Sequence, residues 1–401
     1  MDRPLRVLVD ARVLVGRFSG IARVVTRLID ELARRDGIRV IALCGAHSPD
    51  ALSTRHPIEV MESSFSRADR TPYRRWRWEQ AHLPEAIRRA KADVYHATWN
   101  SGIARNSGIP CILTIHDLIP WDDPASHFSG LADEWWYRHA VRTSARRAAC
   151  VTTVSEHVRQ DVLGRLRLPL QKVVHVSNGV DIPTASQAAL SSGLPYVLYV
   201  GGHERRKNLA GLFAAMQRYW ERHGPTLELR LTGRADTLSQ DAAEALLRLP
   251  GHAPVRFLGE TDDSELERQY GSARALLLLS RAEGFGLPVL EAMAHQCPVI
   301  AAARYALPEV AGDAGILVDP GDPAQVCDAV FSVVHPSQFR DDLVARGRRR
   351  AAKLTWSAAA DRFLQIYRSV CSPAPGVAKG PARAVFSEPP QEAGREPVHA
   401  T

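Results

Sequence analysis

Short apolar runs alternate with amphipathic segments along nearly the whole chain, and the alternation stops once and then restarts. Residues 6–10, 40–44, 94–96, 111–116, 151–154 and 173–176 read as buried strands. Segments 21–32, 77–90, 134–148 and 156–163 between them carry helical spacing of apolar side chains. Residues 183–193, Pro-Thr-Ala-Ser-Gln-Ala-Ala-Leu-Ser-Ser-Gly, are small, uncharged and without periodicity, as a linker is. The pattern then resumes with strands at 196–200, 227–232, 255–258, 275–279, 299–301 and 315–318. Helices are read at 209–222, 237–249, 264–272, 287–295, 324–334 and 357–369. Alternation of this kind is the signature of parallel sheets covered by helices on both faces. The expectation is therefore an α/β chain of two doubly wound, Rossmann-like domains facing a cleft. The expected divisions are 1–182, a linker at 183–194, and 195–354, with a disordered tail at 372–401 rich in Pro, Ala, Gly and Glu.

Composition narrows the class. The 401 residues are 45% hydrophobic and 24% charged, the balance of a globular protein. Six cysteines without any Cys-x-x-Cys point to buried thiols rather than a disulfide scaffold or zinc finger. The first apolar run is interrupted by Arg6, Asp10 and Arg12. The longest uncharged stretch, 182–203, contains two prolines. Neither signal peptide nor spanning helix is expected, which places the protein in the cytoplasm, at most peripheral at the inner face of the membrane. The net charge of +7 belongs wholly to residues 1–182, since 183–401 holds 24 charges of each sign. A basic first half suits an anionic partner, such as phospholipid head groups or a phosphate-bearing substrate.

Three segments carry chemistry. In Glu283-Gly-Phe-Gly-Leu-Pro-Val-Leu-Glu291, Gly284 and Gly286 let a ligand approach the main chain, and Pro288 suits a first helical turn. Unpaired amides at such a turn form an anion site. Glu283 and Glu291 suit sugar hydroxyls, which donate hydrogen bonds to carboxylates. Spacing alone also allows a turn with a capping Glu283 and a solvated Glu291. Arg205-Arg-Lys207 follows a strand, on the edge where ligands bind. Arg206 and Lys207 there suit phosphate oxygens, with a solvated charge run as the alternative. His116 leaves a strand at its carboxyl end beside Asp117, either facing the cleft or as a satisfied structural histidine. The acid pairs Asp122-Asp123 and Asp262-Asp263 read as loop or cap residues, not metal ligands. Residues 67–91 interleave eight cations with Tyr73, Trp76 and Trp78. Such interleaving can bind nucleic acid, sit in a membrane interface or stack on a sugar acceptor; this face either meets a lipid-linked acceptor at an anionic membrane or buries its tryptophans internally. No nucleic-acid partner is expected.

These segments, with Val151-Thr-Thr-Val-Ser-Glu156, Ser177-Asn-Gly-Val-Asp181 and Phe257-Leu-Gly259, stand in the order found in the family 4 retaining glycosyltransferases. The chain resembles that family over about residues 5–370, and Glu283 to Glu291 is similar to its Glu-x7-Glu motif. The resemblance implies GT-B architecture and transfer from a nucleotide-sugar to a glycan or lipid-linked acceptor, with retention and without metal or other cofactor. It implies that Arg206 and Lys207 hold the donor diphosphate and that Glu291 binds ribose. Glu283 would contact the sugar beside the backbone of Gly284, Phe285, Gly286 and Leu287. Leu258, Gly259 and Glu260 would line the base, and His116 would lie against the sugar. Gly20 would belong to the acceptor-side loop, and a helix at 355–371 would return to the first domain. The wording around His116 and Arg206 resembles users of GDP-mannose in polysaccharide synthesis. Gln296 departs from the family, which usually has Gly there. The N-terminal loop has Gly20 alone where the family often pairs glycines. A sugar-nucleotide epimerase on the same architecture and a non-catalytic binding protein are the alternatives. A dinucleotide oxidoreductase is excluded, because no Gly-x-Gly-x-x-Gly follows the first strand.

Overall fold

Two parallel sheets carry the chain, each interrupted once in its strand order. The computed structural model describes residues 3–15, 20–46, 52, 54–183 and 193–372. Residues 16–19 of the N-terminal loop expected at 16–20, most of the expected linker and the expected tail from 373 lie outside the described residues. The first sheet comprises β1 (Leu5–Asp10), β2 (Ile38–Cys44), β3 (Glu59–Glu62), β4 (Val94–Ala97), β5 (Cys111–Ile115), β6 (Cys150–Thr153) and β7 (Val173–His175). Their order is β3-β2-β1-β4-β5-β6-β7. The second comprises β8 (Tyr196–Tyr199), β9 (Glu228–Leu231), β10 (Val255–Phe257), β11 (Ala275–Leu278), β12 (Val299–Ala302) and β13 (Ile316–Val318), in the order β10-β9-β8-β11-β12-β13. Strands such as Ala275-Leu-Leu-Leu278 are buried along their whole length, because helices cover both faces of a parallel sheet.

The break in strand order matters for function. The chain winds outward from β8 through β9 to β10, then returns to lay β11 on the other side of β8. The loops leaving β8 and β11 diverge there and open a crevice at their carboxyl ends. The first sheet has the corresponding break between β1 and β4.

Helix Trp356–Cys371 packs on the first sheet, where Tyr367 hydrogen-bonds His96 Nδ1 at 2.8 Å and Asp361 pairs with Arg35 at 2.9 Å. Gly179 lies so tightly under this crossing that a Cβ there would sit 2.1 Å from the Trp356 nitrogen. Five cysteines are buried thiols, Cys371 is half-buried, and all six are free.

Several elements differ from the sequence reading, among them the short helices Ile119–Asp122 and Leu307–Ala311, which it does not contain. Strand β3 was not anticipated, since Glu-Val-Met-Glu is a half-exposed edge with two charges. Helix Gln338–Lys353 was also not anticipated, because its Arg-rich face masks a narrow apolar stripe of Leu343, Gly347 and Ala351. Helix Pro72–Ala90 begins five residues before 77, where Pro72 takes the first helical position that tolerates its missing N–H.

Candidate active site

The loop leaving β8 turns through a single 3-10 turn, Arg205–Lys207, and ends on Asn208 in the left-handed conformation, with φ of 57°. Asn208 is buried and locked. Its Nδ2 donates to the Pro320 carbonyl at 2.9 Å, and its Oδ1 accepts from Arg281 at 3.2 Å. Arg281 N donates to the Arg206 carbonyl at 2.7 Å, tying this turn to the loop after β11. The two switch-point loops are therefore stitched together before any ligand arrives.

That stitching brings Lys207 Nζ to 2.6 Å from Glu283 Oε1, with Arg206 Nη1 3.4 Å from Glu283 Oε2. Burial alone would push the Glu283 carboxyl up. The two adjacent cations outweigh it and hold the carboxyl below its ordinary value. Glu283 is thus an ionised acceptor inside the cleft.

Gly284 and Gly286 have separate reasons to be glycine. A Cβ on Gly284 would lie 2.1 Å from the His116 carbonyl oxygen, so the two halves touch backbone to backbone there. Ser155 Oγ, also from the first half, donates to the Gly284 carbonyl at 2.8 Å. Gly286 has φ of 100°, and a Cβ would lie 2.6 Å from Leu307 Cδ2. Helix Leu287–Ala294 starts immediately afterwards with Pro288, which has no N–H, in its first turn; Val289 N donates to the Gly286 carbonyl at 3.0 Å, which leaves the Leu287 amide at the helix start without an intrahelical partner.

His116 is buried, with Nε2 2.8 Å from the Thr98 carbonyl. A carbonyl only accepts, so Nε2 carries the proton, leaving Nδ1 an acceptor. Burial pulls the imidazole down to about 4, which keeps it neutral at physiological pH. The neighbouring Asp117 serves as a cap: its Oδ1 accepts from Ile119 N at 3.1 Å at the start of a short helix. Its carboxyl is pushed up by burial, with Arg206 opposing.

Glu291 lies one turn into its helix. Its Oε2 accepts from the Tyr270 hydroxyl at 2.8 Å, and its Oε1 from Arg23 Nη1 at 2.5 Å. Arg23 belongs to helix Gly20–Ala33 of the first half. Gly20 is the first residue of that helix, not a loop residue; a Cβ there would lie 3.9 Å from Leu287 Cδ1. A cavity of about 990 Å³ runs between the halves, and His116, Arg206, Lys207, Glu283, Glu291 and the 284–287 backbone all line it. Glu260 lines it too, whereas Leu258 and Gly259 are not among its lining residues. Gly259 is instead paired with Gly233 by two backbone hydrogen bonds of 2.8 and 3.1 Å.

Sequence reasoning missed Arg23 and Tyr270, and it named Ser155 only as part of the segment 151–156, with no role of its own. Each is one ordinary polar residue in an amphipathic helix or turn, and no local spacing marks it. The acid pairs serve as ion-pair and cap residues: Asp122 pairs with Arg165 and accepts from the Tyr305 hydroxyl, Asp262 caps helix Asp263–Ser272, and Asp263 bridges to Arg23 and Arg27 of the first half. The aromatics of 67–91 go largely into internal packing. Trp78 donates to Ser64 Oγ at 3.1 Å, and Tyr73 and Trp76 lie 4.9 Å from Trp136. Arg75 stacks on Trp99 at 3.6 Å. Among the described residues, no helix is long and apolar enough to cross a membrane.

Residues 18–184 match the model of Glycosyltransferase Family 4, and residues 194–335 that of Glycosyl transferases group 1. The chain is 27% identical over 267 residues to O-antigen chain mannosyltransferase B of Escherichia coli, covering 64% of this chain and 70% of that protein. It is 35% identical over 315 residues to D-inositol 3-phosphate glycosyltransferase of Frankia alni, covering 70% and 75%. The fold superposes on sucrose-phosphate synthase of Thermosynechococcus elongatus with a TM-score of 0.72 at 21% identity, over 91% of this chain and 98% of that one. The two-sheet architecture is thus that of the GT-B enzymes.

Proposed function

Because the chain belongs to glycosyltransferase family 4 and is a glycosyltransferase, we propose a specific reaction for it. It moves mannose from GDP-mannose to a glycan or lipid-linked acceptor in polysaccharide or glycoconjugate synthesis, with retention at the anomeric carbon and without a bound metal. The observation that carries this reading is the convergence of Arg206, Lys207 and Glu283 with the start of helix Leu287–Ala294 in one cavity between the halves. The mannosyltransferase relative supports the choice of sugar.

As the bond from the anomeric carbon to the β-phosphate oxygen breaks, negative charge accumulates on the diphosphate. Lys207, Arg206 and the Leu287 amide at the helix start are the groups this reading sets against that charge, and fixed charge aimed at a developing charge contributes most. The same cations make a divalent ion unnecessary. The acceptor oxygen bonds the anomeric carbon on the face the leaving group vacates. Its proton passes to the departing phosphate oxygen, so no separate base is required. Glu283 accepts hydrogen bonds from sugar hydroxyls, and neutral His116 offers a lone pair rather than a competing cation. Glu291 takes the ribose diol.

The protein works in the cytoplasm, peripheral at the inner face of the membrane when its acceptor is lipid-linked. The basic first half and the exposed Tyr73 and Trp135 support that placement. Flotation with anionic vesicles tests it, and indifference to lipid charge and salt removes it.

A thermal-shift panel of GDP, UDP, ADP and TDP tests the donor. GDP should give the largest stabilisation, growing with the logarithm of its concentration. GDP release from GDP-mannose should then follow. A panel in which no nucleoside diphosphate raises the melting temperature overturns the reading.

A further inference from the structure

The two carboxylates of the cleft are neutralised from different places. Glu283 has cations from its own half, Lys207 and Arg206. Glu291 has its ion pair with Arg23, which reaches across from helix Gly20–Ala33. Arg23 is anchored at both ends of its guanidinium: Nη1 lies 2.5 Å from Glu291 Oε1, and Nη2 lies 2.6 Å from Asp263 Oδ1. With Tyr270 on Oε2, each carboxylate oxygen of Glu291 has one fixed donor. A carboxylate accepts about four hydrogen bonds. One lone pair on each oxygen therefore remains, held in a set direction, and Glu291 and Arg23 both line the cavity.

We propose that Arg23 is a positioning residue of the nucleotide site, supplied by the opposite domain. It aims Glu291 at the ribose diol and cancels the negative charge that would otherwise repel a diphosphate. This rests on the ribose assignment of Glu291 and adds to it that the ribose site is complete only when the two domains stand as they do here. The electrostatics agree: burial works against the charged guanidinium, but Glu291 and Asp263 hold it protonated at all accessible pH.

The test is equilibrium binding of GDP and 2′-deoxy-GDP to the full chain, with UDP and 2′-deoxy-UDP in parallel. Arg23→Ala should weaken the ribonucleotide roughly tenfold, the scale of a lost charged hydrogen bond, and weaken the deoxynucleotide less. The preference for ribose therefore shrinks. Arg23→Lys should recover part of it. Arg27→Ala is the control. Arg27 also bridges to Asp181, at 2.9 Å, and to Asp263, at 3.7 Å, without touching Glu291; its loss should leave the ribose preference unchanged. A merely structural Arg23 would lower the melting temperature without moving the ratio. An unchanged ratio in Arg23→Ala, with the ratio collapsed in Glu291→Gln, overturns this inference and spares the ribose assignment. An unchanged ratio in Glu291→Gln overturns both.

Discussion

Lys207 holds its ammonium 2.6 Å from Oε1 of Glu283, with both side chains 11% exposed. A buried carboxylate stripped of its partner is strongly destabilising, by about 3 kcal/mol, and Arg206 at 3.4 Å offsets part of this. Lys207→Ala should therefore lower stability by about 2 kcal/mol in urea unfolding, and adding Glu283→Gln should recover most of it. Turnover should fall roughly a hundredfold, more than donor affinity falls, if the charge acts on the departing diphosphate as proposed. Equal losses in kcat and in donor binding would make Lys207 an anchor only.

Acid should unfold the protein earlier than its carboxylates require. Burial lowers His116 to about 4 and His96 to about 3 from the ordinary 6.5. Below 6.5 the unfolded chain binds protons that the native one refuses, so stability falls as pH drops, until the native imidazoles titrate. Each contributes a slope of about 1.4 kcal/mol per pH unit in that window. The fall of stability with pH across that window, measured by denaturant unfolding at each pH, should become shallower in His96→Gln; an unaltered slope would show that His96 is protonated in the native protein.

Gln296 sits at the end of helix Leu287–Ala294 with φ of 61°, in the left-handed region that favours glycine. The family's usual glycine at this place has a backbone reason. Gln296→Gly should stabilise the protein by about 0.5 kcal/mol, the left-handed strain exceeding the added chain entropy. A lower melting temperature would mean that the glutamine side chain makes up the strain.

Gly284→Ala forces a methyl group against the His116 carbonyl, and neither backbone can yield without parting the halves. Turnover should drop by about a hundredfold, as a small misplacement of reacting groups does. The melting temperature should move little, because each sheet keeps its own core. Full activity in this variant would show that the working enzyme opens this contact.

Much of this was legible in the chain itself, since strand and helix periods are local. Buried parallel strands spell continuous apolar runs, helices repeat near every fourth residue, and Gly284, Gly286 and Pro288 announce a tight turn into a helix. Strand β3 escaped because an edge strand with Glu59 and Glu62 carries too little apolar signal.

Residue types and their neighbours along the chain determined two parallel α/β units and which cations, carboxylates and glycines a site between them could use. Only the tertiary structure decided which pieces meet. The return of β11 to the free side of β8 puts Lys207 on Glu283, and the stance of one domain against the other delivers Arg23 to Glu291. Those pairings span 76 and 268 residues. They depend on strand order and interdomain packing, which leave no periodic trace in the sequence.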